Sequence, residues 1–339
     1  MQKKEKREFK KRLNRKGSLK SEAEISNSKS LKLLCMTAAA VLITTASIQL
    51  APNDTYTNPG VDYDTNFVVA HAGGALEEDG DELNYLNSLE GFYHYYAEGT
   101  RLFEFDLVFS SDGRLVGTHT YEYLDGYSMK NRIGYQDYKN TKIAGKFEGI
   151  TEESLLALCK IFPECKFIID TKEKDPTAVY YRIIDLAKQQ DLDISKTILP
   201  FVSSKDMLLD LEKRYDFEEI MFTNYKNYYS TRQLLNIVKE FDKIRYVHIF
   251  PIDFFRVDIE KLNQHGVRVF AHMDKENFLR TALDYGCTGI FSDNISEKDF
   301  KEDHYSFLAK KLEIVQDQKM HERKVEMFYK RKESPELEF

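Results

Sequence analysis

The 339-residue chain has no tryptophan and only four cysteines. So few thiols in this length cannot staple a disulfide scaffold, and a buried core has to supply the stability. Hydrophobic residues make up 42% and charged residues 31%, with Tyr and Phe providing all of the aromatic content. That balance excludes global disorder. Surplus positive charge is also lacking: the formal net charge is −7, which argues against a general nucleic-acid binder. No internal repeat is evident. No glycine-rich phosphate fingerprint follows the first apolar run, which weakens a doubly wound open sheet.

Long uncharged runs are scarce, with one informative exception. Residues 1–32 hold 12 Lys or Arg against 4 Asp or Glu, whereas the remainder carries a large acidic excess. At the junction, residues 33–53 (LLCMTAAAVLITTASIQLAPN) contain no charge. This is close to the ~20 residues that span a bilayer core as a helix. The preceding basic flank directs this end to the cytoplasm and the acidic body outward. The first reading is a single-pass signal anchor at 33–51 in the cell membrane, after a basic cytoplasmic segment at 1–32 and before a linker at 52–65. A cleaved signal peptide and a helix of a cytoplasmic protein are the alternatives. Cys35 does not mark a lipoprotein, because Lys32 stands where an apolar residue is needed. Cys159 and Cys165 are near in sequence, but no disulfide is expected.

The body alternates between short β-branched or aromatic runs and amphipathic stretches. Eight runs stand out: Phe67–Ala72, Leu102–Phe109, Lys166–Thr171, Thr197–Val202, Glu219–Thr223, Tyr246–Pro251, Val267–His272 and Thr288–Ser292. Helix-like segments separate them at 83–98, 151–161, 175–191, 204–215, 230–242, 256–264 and 275–286. Such alternation predicts an α/β fold, a (β/α)8 TIM barrel over 66–295. Arg114–Thr120 predicts an extra strand after a Ser111-Asp112-Gly113 turn. The tail at 296–339 reads as charged and helical.

Barrels of this kind place their chemistry where strands end at the carboxyl face. His71 leaves the first run into Gly73-Gly74, where the backbone can approach a ligand; alternatively it only caps the strand. Glu104 and Asp106 are two apart and share one strand face, with Phe103, Phe105 and Leu107 on the other. Two carboxylates pointing into a barrel repel each other and lose solvation. One divalent cation, Mg2+ or Ca2+, resolves both problems, and the alternative is internal pairing with Lys or Arg. Asp170 and Lys172 repeat the pattern on the third run, as a third ligand and an anion contact or as an internal ion pair. His119 ends the extra strand and gives a second imidazole, while His272 ends the seventh run as a ligand-contacting or a core histidine. Two imidazoles beside a cation suit phosphoryl chemistry.

These pieces, in this order, resemble the glycerophosphodiester phosphodiesterase family, within the wider phosphatidylinositol-phospholipase-C-like phosphodiesterases. The matching segments are His71-Ala72-Gly73, Leu86-Asn87-Ser88, Glu104-Phe105-Asp106, Asp112-Gly113 with His119-Thr120, Asp170-Thr171-Lys172, and Gly286 to Asp293. The resemblance covers about residues 67–295. It implies a distorted TIM barrel, one divalent cation and two-His acid/base catalysis. By position, His71 and His119 become the acid/base pair, and Glu104, Asp106 and Asp170 the metal ligands. Lys172, Asn87 and His272 become substrate or phosphate contacts. Ala72 stands where the family has a phosphate-binding Arg, Leu86 where it has a carboxylate, and Thr120 where it has Asp. Asp170 is one methylene shorter than the family's Glu. The chain looks more like a bacterial branch of poorly defined substrate.

The expectation is a metal-dependent phosphodiester hydrolase acting on a glycerophosphodiester, a lipid headgroup or a phosphodiester-linked surface polymer. A barrel that binds phosphoglycan or lipid without cleaving it, accessory to envelope assembly, is the alternative. Expected partners are a small-molecule or lipid-derived phosphodiester and the membrane, not nucleic acid.

Overall fold

Each of the eight runs read from the sequence holds one strand of a closed parallel barrel. The computed structural model describes residues 66–301 except 79–80, 120–123, 125–126, 226 and 273–280. The barrel strands are β1 (Val68–Ala70), β2 (Leu102–Phe109), β3 (Lys166–Asp170), β4 (Ile198–Val202), β5 (Ile220–Thr223), β6 (Ile244–Ile249), β7 (Arg268–His272) and β8 (Gly289–Ser292). Every strand pairs in parallel with its successor. β8 returns to β1 with Val69 opposite Phe291, so the sheet has no barrel edge.

Strand alternation sorts the side chains into two layers. Phe103, Phe105 and Leu107 of β2 face the helices and join the main outer core. Leu102 faces inward, where it packs with Val69, Ile168, Leu199, Met221, Tyr246, Phe270 and Phe291 in a separate apolar plug. The plug fills the barrel and makes a floor beneath its carboxyl end.

The helices lie between the strands: α1 (Leu89–Ala97), α2 (Tyr135–Asn140), α3 (Glu152–Ile161), α4 (Pro176–Gln189), α5 (Lys205–Arg214), α6 (Thr231–Glu240), α7 (Ile259–Asn263) and α8 (Glu297–Lys301). Their starts are written in the sequence. Ser88, Ser204 and Asp258 accept a backbone N–H three residues on. Thr151 forms a reciprocal box with Ser154, and Asp175 caps a helix whose first residue is Pro176. Each such cap contributes about 1 kcal/mol. The ends of the barrel chain are tied by Glu297, whose carboxylate accepts the Phe67 and Val68 N–H groups at 2.9 Å.

One segment departs from the sequence reading. Residues 83–88 are not helical: Leu76–Glu78 and Asp81–Leu83 pair as an antiparallel ladder, and the helix begins at Leu89. Tyr85 and Asn87 adopt left-handed backbone angles (φ 58° and 46°), which no helix accommodates. The expected extra strand is present as Leu115–Gly117, antiparallel to the end of β2. It opens an excursion with its own small core, including Val108, Val116, Ile133, Tyr135 and Tyr138. Cys159, Cys165 and Cys287 are buried free thiols. Among the described residues no helix is long and apolar enough to cross a membrane. The basic segment 1–32, the expected anchor 33–51, the linker 52–65 and the tail after 301 lie outside the described residues.

Candidate active site at the carboxyl end of the barrel

A polar residue stands two positions beyond each of several floor residues. His71 follows Val69, Glu104 follows Leu102, Asp170 follows Ile168, His248 follows Tyr246, His272 follows Phe270, and Asp293 follows Phe291. A two-residue step along a strand keeps the same face and climbs toward the carboxyl end. Apolar floor and polar mouth therefore come from one alternation.

Glu104, Asp106 and Asp170 each offer a carboxylate oxygen, and the three atoms lie within 4.8 Å of one another. Glu104 and Asp106 are almost wholly buried, on adjacent inward positions of β2. Glu104 accepts the Ala72 N–H at 2.7 Å. Its carboxyl is pushed up from 4.5 to about 8, by burial first and then by the Asp106 charge. Asn87 grips Asp106 from both sides, its amide donating to Oδ2 at 3.2 Å and its oxygen accepting the Asp106 N–H at 2.8 Å. The other oxygen of Asp106, Oδ1, is buried and has no hydrogen-bond partner. Lys172 pairs with Asp170 and stands 3.7 Å from Asp106 Oδ1. The internal ion pair left open by the sequence is therefore present, but one lysine and the His71 ring, itself tied to a fourth acid, Asp293, face three acidic groups. Desolvated carboxylates left short of positive charge, with an orphaned oxygen among them, fit a divalent cation with oxygen ligands.

His71 is tied to Asp293, Nδ1 to Oδ1 at 2.6 Å, and its Nε2 lies 3.8 Å from Glu104 Oε2. Burial opposes its charge, but the Asp293 hydrogen bond and the charges of Glu104, Asp293 and Asp106 lift it to about 10. Asp293 is itself held by an amide from Asn84, and its carbonyl accepts Tyr95 Oη at 2.7 Å. The close passage of chain here needs Gly74: a Cβ on it would meet the Tyr95 ring at 2.3 Å. His119 lies at the end of the extra strand, half-buried, and burial lowers its pKa despite the nearby Asp106. The two imidazoles thus differ in protonation at neutral pH. Both pack edge-on against Tyr85, at ring separations of 5.0 Å for His71 and 5.1 Å for His119. His272 meets the His71 ring at 4.6 Å and stacks on Phe250 at 5.0 Å.

Every candidate from the sequence is therefore at this mouth. Three further residues were not given roles there. Asp293 enters the sequence reading only as the end of a motif, although it stands two residues past the inward-facing Phe291, just beyond β8. His248, hydrogen-bonded to Thr223 Oγ1 at 2.9 Å, was legible by the same two-residue step. Tyr85 carried no signal, since its position depends on a left-handed turn that hydrophobic patterning does not encode.

No family model and no curated protein matches the chain. Solved structures do. A glycerophosphoryl diester phosphodiesterase from Parabacteroides distasonis aligns with a TM-score of 0.57 at 15% identity, covering 76% of this chain and 91% of that one. A glycerophosphodiester phosphodiesterase from Agrobacterium tumefaciens aligns at 0.51 and 15% identity, covering 70% and 99%. An Oleispira antarctica phosphodiesterase in complex with the product sn-glycerol-3-phosphate aligns at 0.50 and 17%, covering 69% and 94%. The barrel thus shares the fold of solved glycerophosphodiester phosphodiesterases. At these identities the likeness is one of fold.

Proposed function

We propose that the chain is a phosphodiester hydrolase that uses one divalent cation, Mg2+ or Ca2+, and two histidines. The observation that carries this reading is the meeting of Glu104, Asp106 and Asp170 within 4.8 Å, with one buried Asp106 oxygen that has no hydrogen-bond partner. Those three carboxylates would hold the cation, which when bound would offset charge on the phosphate. Lys172, which pairs with Asp170 and stands beside Asp106, is the side-chain ammonium placed to contact a phosphate oxygen. His71, held by Asp293, and His119 serve as the proton-carrying pair. One takes a proton from the attacking hydroxyl as its oxygen bonds to phosphorus, and the other protonates the leaving oxygen as the P–O bond breaks. Asn87 fixes Asp106, and His272 lines the mouth beside His71.

The substrate is a glycerophosphodiester, a lipid headgroup diester or a phosphodiester-linked surface polymer. Support comes from the fold shared with a phosphodiesterase that holds sn-glycerol-3-phosphate. Residues 33–51 anchor the chain in the cell membrane with the barrel outside. One observation favours the second reading, a barrel that binds such diesters without cleaving them: the buried Ala72 brings no side-chain cation to the site. Turnover decides. Purified full-length protein with Mg2+ or Ca2+ should hydrolyse bis(p-nitrophenyl) phosphate or glycerophosphodiesters, and EDTA should stop it. His119→Ala should lower kcat about 100-fold or more while leaving the fold intact, as measured by circular dichroism. Unchanged turnover in that variant refutes the catalytic assignment.

A further inference from the structure

Two neighbouring loops at the carboxyl rim carry four of the seven large apolar side chains that the described residues leave exposed. Tyr225 and Tyr228 follow β5 and are 47% and 49% exposed; Ile252 and Phe255 follow β6 and are 56% and 43% exposed. Large side chains scattered singly need no explanation, but four gathered on one rim do.

The platform beneath them is built. Asn224, buried at the end of β5, donates to Asp253 Oδ1 at 3.0 Å across the two loops. It also accepts the Tyr229 N–H at 2.8 Å, while Asp253 accepts the Phe250 N–H at 3.1 Å. Arg256 donates to the Tyr228 carbonyl and sets its guanidinium 5.4 Å from that residue's ring. The patch is continuous with the candidate active site: Tyr225 packs on Phe250 at 4.8 Å, Phe250 on His272 at 5.0 Å, and His272 on His71 at 4.6 Å.

We propose that this rim seats the barrel on a lipid bilayer, with Tyr225, Tyr228, Ile252 and Phe255 entering the boundary between headgroups and acyl chains. Two observations select lipid as the occupant. Tyrosine and phenylalanine beside arginine suit an interface that is apolar below and phosphate-rich above. The local charge agrees: Arg232 and Arg256 are exposed there against one exposed acid, Asp258, in a chain of net charge −7. A bilayer also presents its phosphates to the mouth, whereas a protein clamped on this rim would cover it. The use of the rim to collect substrate rests on the phosphodiesterase reading; the docking itself does not.

The absence of tryptophan makes the test clean, because one introduced tryptophan is the only such fluorophore. Full-length Phe255→Trp and, as a control on α5, Leu209→Trp are reconstituted in vesicles of equimolar phosphatidylglycerol and phosphatidylcholine, with and without brominated acyl chains. Emission of the Phe255→Trp protein should shift to the blue on meeting vesicles and be quenched by bromine at a depth of about 5–10 Å. Leu209→Trp should stay water-like. Equal behaviour of the two reporters overturns the proposal. So does a blue shift without lipid that grows with protein concentration, which would mark a contact between copies. As a second reading, Ile252→Asp with Phe255→Asp should leave turnover of a soluble chromogenic diester unchanged and lower cleavage of a vesicle-borne phospholipid several-fold. If neither substrate is cleaved by any variant while the quenching holds, the docking stands and the hydrolase assignment falls.

Discussion

Glu104 concentrates the tension of the site. Its folded pKa rises from 4.5 to about 8, by burial and by Asp106, so between these values the folded protein keeps a proton the unfolded chain has released. His71, lifted from 6.5 to about 10 against its burial by Asp293 and Glu104, acts in the same direction. Native protons in excess mean that stability falls as pH rises. In EDTA, the melting temperature should therefore decline from about pH 7 to pH 9, above the range in which His119 and His248, whose pKa values burial lowers, act in the opposite direction, with Glu104 contributing the lower part of the slope. Saturating Mg2+ or Ca2+ should restore stability most at the alkaline end, and Glu104→Gln should flatten the lower part and remove most of the cation effect. A metal-free protein whose melting temperature rises across this range would contradict the arrangement of charges. The residues of this cluster were legible in the sequence because carboxylates two apart on an apolar run have one inward face to share. The grip of Asn87 on Asp106 and of Asp293 on His71 was not, because both depend on which strands and turns become neighbours.

At the scale of elements, the barrel was legible where hydrophobic runs alternate with capped helices, and illegible where the backbone turns left-handed. Residues 83–88 have helix-compatible spacing, yet Tyr85 and Asn87 take positive φ so that Asn87 can reach Asp106. The tertiary bond overrides the local pattern. The excursion after β2 shows a second kind of tie. Glu152, buried in the first turn of α3, accepts the Leu115 N–H at 2.9 Å, Arg114 Nε at 2.7 Å, and Arg182 of α4 at 2.6 Å and 2.9 Å. It joins the extra strand to two barrel helices. Glu152→Ala should cost about 2 kcal/mol, because it leaves the buried Leu115 N–H and the Arg182 guanidinium without their partner and Arg114 with Glu153 alone. The readout is the urea midpoint. Turnover at a permissive temperature should fall further than stability requires, since His119 sits at the end of the strand that Glu152 holds. A loss below 1 kcal/mol would mean that water replaces the carboxylate at little expense.

For the whole molecule, the deciding feature is the uneven charge. A basic head of 32 residues precedes an uncharged run and an acidic body, the order expected of a chain whose head stays inside while its barrel is exported. Two forces could hold it to a membrane, and salt separates them. Attraction between the basic head and anionic lipid is screened to about 3 Å at 1 M ionic strength. Burial of the 19-residue uncharged segment 33–51 would not be weakened by salt, and would strengthen in sulfate. Full-length protein should therefore pellet with membranes, stay there through a 1 M NaCl wash, and leave only with detergent. Its extracted mass should include residues 1–32, which a cleaved signal peptide would lose. Protease applied from outside should shorten it to the head and anchor. Release by salt alone would assign the attachment to the head and the rim, with the run 33–51 outside the bilayer. Recovery of the uncut chain in the soluble fraction would remove the anchor altogether, leaving the rim of Tyr225, Tyr228, Ile252 and Phe255 as the surface proposed, among the described residues, to meet lipid.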